Sequence, residues 1–332
     1  MIFSDIHMDK IILTQFNNFK EQLKQQLTNY FPERSRIAIK LHMGEQGNKH
    51  FLNPDYAKAV VDVCKELKLK PFLFDSPVDY NSPRHFSKGY QLVAKKHGFG
   101  FTDIKISNES VKVKGKHMDY DVCKELIEAD GVIVLTHVKG HLCSGFGGAI
   151  KNLGMGAVTR GTKKEIHDGG KPVYVKGCTM CMTCSKNCPT GNIRYENNQP
   201  YFDKSWCPGC SNCIVVCPEK AIKPKIATFD ELISDAANSA LKNFKKTFFI
   251  NVLANISEKC DCWIGKNEII GKDIGILLGK DIIAIEKASY DLIKEKHGKD
   301  IFKEANHRDA LLHIKEGERL GMGKMEYNLV KF

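Results

Sequence analysis

Eight of the thirteen cysteines fall into two runs, Cys178-x2-Cys181-x2-Cys184-x3-Cys188-Pro189 and Cys207-x2-Cys210-x2-Cys213-x3-Cys217-Pro218. Each cysteine of the second run lies 29 residues after its counterpart in the first, so the segment is an internal repeat. Three thiolates two residues apart can wrap one corner of a cuboidal iron–sulfur cluster. The fourth, before the proline, sits too far along and reaches the opposite site. This assigns one 4Fe–4S cluster to Cys178, Cys181, Cys184 and Cys217, and a second to Cys207, Cys210, Cys213 and Cys188. Zinc favours isolated pairs with longer spacers. Neither zinc nor disulfides explain two Cys-Pro endings in register.

Such crossed ligation is the spacing of bacterial two-cluster ferredoxins, and it predicts a small α+β module over residues 173–222. Ile193-Arg194-Tyr195 and Pro200-Tyr201-Phe202 flank Glu196-Asn197-Asn198-Gln199, which reads as a hairpin between the halves.

Outside the module the chain alternates strand and helix signals. Arg36 to Leu41, Pro71 to Asp75 and Val132 to Thr136 are short apolar runs that read as strands. Asn53-Pro54-Asp55 opens a helix on which Ala57, Val60, Val61, Cys64 and Leu67 share one face. Lys88 to His97 and Asp119 to Ala129 also read as helices, with Cys64 and Cys123 as core residues. Apolar runs resume at Phe248 to Val252, Ile274 to Leu278 and Ile282 to Ile285, before a helix from near Glu286. The expected fold is α/β, a mostly parallel sheet with flanking helices. Residues 1–172 and 223–332 supply its two parts, and the two-cluster module is inserted between them.

With 42 per cent apolar and 27 per cent charged residues, the composition is that of a soluble globular chain. No stretch approaches the roughly eighteen apolar residues of a membrane span. Met1 to Asp5 shows no export signal. Many cysteines outside a disulfide framework fit a reducing cytoplasm, and oxygen-sensitive clusters fit an anaerobic host. The net charge of +11 comes from scattered lysines with no nucleic-acid reader motif, so a solvated surface that steers an acidic redox carrier is expected.

Two further stretches carry chemistry. The first is His137-Val138-Lys139-Gly140-His141-Leu142-Cys143, continuing through Gly145-Phe146-Gly147-Gly148 to Lys151-Asn152 and Gly156. It follows a strand at the position where open α/β sheets bind ligands. Its glycines match neither the dinucleotide nor the P-loop spacing. What remains is an exposed polar cluster of two imidazoles, two ammonium groups, a thiol and an amide, suited to an anionic ligand or a metal. The alternative is a tight turn whose histidines satisfy backbone groups. The second stretch is Cys260-Asp261-Cys262-Trp263. If extended, it puts both thiols on one face as a chelating or redox pair. A closed metal site would need more ligands, from His42, His137, His141 or Cys143. The alternative is a buried pair of small side chains.

These stretches together resemble the family called domain of unknown function 362, in its form fused to a two-cluster ferredoxin module. The resemblance is carried by Ile37 to Asn48, Lys70 to Asp75, Ser82 to His85, Ala129 to Leu135, His137 to His141, Gly145 to Gly156, Cys260 to Trp263 and Asp273 to Leu277. It implies that the glycine-rich stretch and Cys260-Asp261-Cys262 belong to one pocket, and that the module is an insertion. The family name carries no reaction. Three functions follow as expectations. One is an oxidoreductase whose clusters serve a site of His137, Lys139, His141, Lys151 and Asn152, with a histidine as proton donor. The second is an electron carrier with a docking domain. The third is a metal- or cofactor-maturation protein using Cys260 and Cys262.

Overall fold

The computed structural model describes residues 8–332; Met1 to Asp5, read above for an export signal, lie outside the described residues. Eight strands form the central sheet. In chain order they are β1 (Asp9–Thr14), β2 (Arg36–Lys40), β3 (Lys70–Asp75), β4 (Ile104–Ile106), β5 (Gly131–His137), β6 (Thr247–Leu253), β7 (Gly275–Gly279) and β8 (Tyr327–Lys331). Their spatial order is β8-β1-β7-β6-β5-β2-β3-β4. Strands β6, β5, β2, β3 and β4 pair in parallel, and β7 runs antiparallel to both its neighbours. The sheet is therefore mostly parallel, and it draws strands from both sides of residues 173–222.

The strands are apolar because both faces are covered. Along β5, Val132 and Val134 enter one core layer while Ile133 and Leu135 enter the other. Helices α1 (Phe19–Leu27), α2 (Pro54–Glu66) and α3 (Ser87–Lys96) cover one face. Helices α4 (Ala149–Gly156), α5 (Arg160–Gly169), α6 (Phe229–Leu241) and α7 (Ile282–His297) cover the other. The Asn53 side chain caps α2 by accepting from the Asp55 amide at 2.9 Å, as its sequence predicts.

Two local expectations are corrected. Asp119–Cys123 is a strand paired with Ser110–Lys114, and only Lys124–Glu128 is helical. The alternation of Asp119 and Asp121 with buried Tyr120 and Val122 has the two-residue period of a strand. Ile282 to Ile285 is no strand but the first turn of α7, started by Asp281 accepting from the amides of Ile283 and Ala284. That turn is buried on all sides, so it shows no helical periodicity.

From β2 the chain moves outward to β3 and β4, then returns to β5 on the other side of β2. The carboxyl ends of β2 and β5, on either side of this reversal, are the position where open α/β sheets bind ligands. Within residues 172–224, Pro172–Tyr174 pairs antiparallel with Ile222–Pro224, and Ile193–Glu196 with Gln199–Phe202.

Candidate functional site: a buried lysine cluster and two cysteine pockets

At those strand ends, buried charges close otherwise apolar strands. Lys40 ends β2 and Asp75 ends β3. Both are buried, with Lys40 Nζ 3.1 Å from Asp75 Oδ1. Lys40 also donates to Asn152 Oδ1 at 2.7 Å. A Cβ at Gly156 would lie 2.3 Å from Lys40 Nζ, so only glycine leaves room for this pair. Buried Arg84 faces Glu45 at 3.3 Å and Asp75 at 3.8 Å, and donates to Tyr90 Oη at 2.9 Å. Lys163 donates to Ser76 Oγ at 2.8 Å and to Pro77 O at 2.6 Å.

Further charges come from the ends of β5 and β6. Asp261 takes Lys139 on one oxygen at 2.5 Å and His137 Nδ1 on the other at 3.1 Å. His137 Nε2 lies 2.8 Å from Ala254 O. Burial alone would raise the Asp261 pKa, but Lys139 and His137 hold it far below the ordinary carboxylate range. Burial pushes the ammonium groups of Lys139, Lys151 and Lys163 down from 10.5 to about 8, despite nearby carboxylates. His42 is likewise driven well below its ordinary value by burial, then by Arg84.

Lys151, on the first turn of α4, differs from the other cations of this cluster. Among the described residues it has no hydrogen bond or ion pair, while its charge is felt by Lys139, His42, His141 and Cys143. The N-terminus of α4 offers no anion site of its own, since Glu286 accepts from the amides of Ala149 and Ile150 at 2.7 and 3.1 Å. Five cations (Lys40, Lys139, Lys151, Lys163, Arg84) thus face three carboxylates (Glu45, Asp75, Asp261). The set suits an anionic ligand.

The sequence-predicted residues divide accordingly. His137, Lys139, Lys151 and Asn152 meet in this cluster. The expected exposed cluster is corrected: His137, Lys139, His141 and Cys143 are buried, because the hairpin of Lys139–His141 and Gly145–Gly147 folds under Asn306 and the 257–260 segment. His141 Nδ1 accepts from the amides of Cys143 and Ser144 at 3.3 and 3.2 Å, which fixes the neutral Nε2–H form. Burial, then Lys151, keeps it neutral. Cys260 and Cys262 lie in a turn and form a disulfide, so both sulfurs are engaged with each other. Among the described residues no three His, Cys, Asp or Glu side chains converge on a single ion. Lys40, Asp75, Arg84, Lys163 and Asp261 were not singled out from sequence. Lys40 and Asp75, each a charge ending an apolar strand, carried a legible signal.

The eight cysteines of the repeat sort into two pockets. One is lined by Cys178, Cys181, Cys184 and Cys217, with Tyr195, Pro200 and Ile222. The other is lined by Cys188, Cys207, Cys210 and Cys213, with Pro172, Ile193 and Phe202. Each takes three cysteines from one run and the fourth from the other. Backbone amides of Met180, Asn192 and Ala221 point at Cys178, Cys188 and Cys217 Sγ at 3.3–3.4 Å. The donor set, four sulfurs with N–H donors in an apolar lining, fits a four-iron cluster in each pocket. A cube spreads its thiolates over separate irons, so it does not require the tight convergence of a single-ion site.

Parts of the chain are similar to redox proteins. It is 40% identical over 60 residues to a subunit of the ion-translocating oxidoreductase complex of Methanosarcina acetivorans, covering 17% of this chain and 23% of that one. It is 34% identical over 58 residues to the "Indolepyruvate oxidoreductase subunit IorA" of Methanothermobacter marburgensis, covering 17% and 9%. An "Iron-sulfur protein" of Rhodospirillum rubrum is 34% identical over 74 residues, covering 20% and 39%. The chain thus spans well under half the length of these relatives. Among solved structures, a Thermotoga maritima protein aligns with a TM-score of 0.44 at 10% identity, over 91% of this chain and 59% of that one. The lactate racemase apoprotein from Thermoanaerobacterium thermosaccharolyticum aligns with a TM-score of 0.37 at 9% identity, over 76% and 52%. Residues 37–291, taking in the lysine cluster, both cysteine runs and the disulfide, match the family described as "Domain of unknown function (DUF362)", and the chain belongs to that family.

Proposed function

We propose that this chain is an iron–sulfur oxidoreductase. In this reading the two cysteine runs hold two 4Fe–4S clusters, and a chamber at the lysine cluster holds an anionic small molecule that exchanges electrons with them. The observation that carries it is the sorting of eight cysteines into two pockets, three from one run and one from the other. The names of the partial relatives support the same chemistry. Clusters of this type supply one-electron transfer.

The chain's own residues have separable tasks. Cysteine thiolates bind iron, and the amides of Met180, Asn192 and Ala221 stabilise sulfur charge through charge-assisted hydrogen bonds. Lys151 binds the anionic group, and Lys40 and Lys139, each held by a carboxylate, orient it. Lysines near their neutral point can hold or release a proton at Nζ, a task the sequence had suggested for histidine. A pure electron carrier gives no task to an ammonium group left unpartnered in a chamber, and this favours the oxidoreductase.

The test is anaerobic purification with iron and sulfide counting, followed by thermal shift with a panel of small carboxylates and phosphates. About eight iron and eight sulfide per chain, with stabilisation by at least one anion that Lys151→Ala abolishes, is the expected result. A chain that takes up no iron, or binds no anion, defeats the reading.

A further inference from the structure

The two cysteine runs are copies, yet their surroundings are not. Cys184 and Cys213 are buried alike, but the loops before them differ. Cys181 is exposed and Met182 is 45% exposed; their counterparts Cys210 and Ser211 are 6% and 1% exposed. The second loop is gripped from outside at Pro208, Ser211 and Asn212. His167 Nδ1 lies 2.8 Å from Pro208 O. Ser211 Oγ donates to Gly170 O at 2.8 Å and accepts from the Phe229 amide at 3.0 Å. Asn212 Oδ1 accepts from Arg308 at 3.3 Å. Bonds around the first loop stay within the module, as between Cys184 Sγ and Tyr195 Oη at 3.1 Å. The sequence records the difference. Gly209 has φ +65°, and a Cβ there would lie 1.8 Å from His167 O; its counterpart Met180, at φ +57°, carries a full side chain.

From the gripped loop, contacts run through His167 and Phe229 to the hairpin that leads into α4. The Phe229 ring stacks on His167 at 5.2 Å and on His141 at 6.1 Å. Buried Arg308 is ion-paired with Asp230, leaves its Nε without a partner, and lies near the sulfurs of Cys210 and Cys143. Cys143 and His141 belong to the hairpin leading into α4 and Lys151.

We propose that the two pockets have fixed places in the electron relay. The pocket of Cys188, Cys207, Cys210 and Cys213 is the inner one, tuned by Arg308 and adjoining the chamber. The pocket of Cys178, Cys181, Cys184 and Cys217 is the outer one, loaded by a soluble one-electron carrier. The assignment rests on the reading that both pockets hold clusters. In each passage the carrier is oxidised by one electron and the outer centre reduced. The outer centre then returns to its oxidised state as the inner one is reduced. No bond is broken and no proton moves. A guanidinium beside the inner centre favours its more negative, reduced state, which sets the direction of flow.

The experiment is a redox titration of the iron-loaded chain followed by electron paramagnetic resonance, with and without a soluble dysprosium chelate as relaxing agent. In wild type the chelate is expected to relax one signal and spare the other. Arg308→Gln should lower the midpoint of the spared signal and Asp230→Asn should raise it, while Tyr195→Phe should move only the relaxed signal. Opposite shifts in one signal are not what general loosening of the fold produces. Should Arg308→Gln fail to fold, the wild-type chelate measurement and Asp230→Asn still decide. Equal relaxation of both signals, or Arg308 and Asp230 effects on the exposed signal, overturns the order of the pockets while leaving the clusters in place. A chain with no iron and no signal instead overturns the cluster reading itself.

Discussion

Lys40 and Asn152, 112 residues apart in sequence, are joined by a 2.7 Å hydrogen bond from Nζ to Oδ1. The same amide donates to Leu135 O and Thr136 Oγ1, each at 3.0 Å, so one side chain ties β2 and β5 to α4. Asn152→Ala leaves the buried Lys40 ammonium with Asp75 alone and frees α4 from both strands. The expected cost is about 1–3 kcal/mol in denaturant melts. A loss of a few tenths would show that Asn152 is dispensable to the chamber.

Lys151 has no ion pair or hydrogen bond to lose among the described residues. Lys151→Ala should therefore remove a burial cost and raise stability at neutral pH, while weakening sulfate binding about ten- to a hundredfold, the span of one hydrogen bond to a charged group. Isothermal titration reads the change. Equal sulfate affinity in both proteins would place the anion elsewhere.

The chamber's pH dependence has two opposite signs. Lys139, Lys151 and Lys163 titrate at about 8 in the folded chain, against about 10.4 unfolded. Across that window the unfolded chain binds more protons, so these lysines make stability rise with pH; below it the burial cost stands in full. Sulfate affinity moves the other way and should fall as pH passes about 8, well before surface lysines lose charge. Titrations at about pH 7 and about pH 9 check this, and a flat profile would count against lysine recognition.

Crossed ligation predicts how cysteine substitutions group. Cys217→Ser should lose the same paramagnetic signal as Cys178→Ser, and each should retain about four irons. Cys188→Ser should instead group with Cys207→Ser. Grouping by run would mean that each run closes its own cluster.

Much of this architecture was legible because it is periodic. The 29-residue repeat showed in spacing alone, and β2, β3, β5 and β6 showed as apolar runs closed by turns or charges, while the three-residue β4 did not. The chamber was half legible. Lys139, Lys151 and Asn152 lie in a stretch with obvious glycines. Arg84 and Lys163, however, come from a short 3-10 turn and from α5, and only the return of the chain to β5 brings those elements alongside Asp75. Asp261 stands between two cysteines whose own chemistry is conspicuous; its role appears only once Lys139 and His137 are seen on its two oxygens. The strand at Asp119–Cys123 carries its two-residue period openly and is masked only by the helix that follows it, whereas the buried start of α7 defeats a sequence reading. A window of sequence reports the face a segment turns to water, and the start of α7 turns none.

The pairing of Pro172 with Pro224 means that the points where the chain leaves the large sheet's helical layer and comes back to it already touch. A few residues of turn could bridge that gap without rethreading a single strand. If residues 172–224 are an inserted cassette, its gain or loss asks little of the large sheet, and residues at the seam, such as Gly209 within the cassette and Arg308 outside it, would need to change in concert.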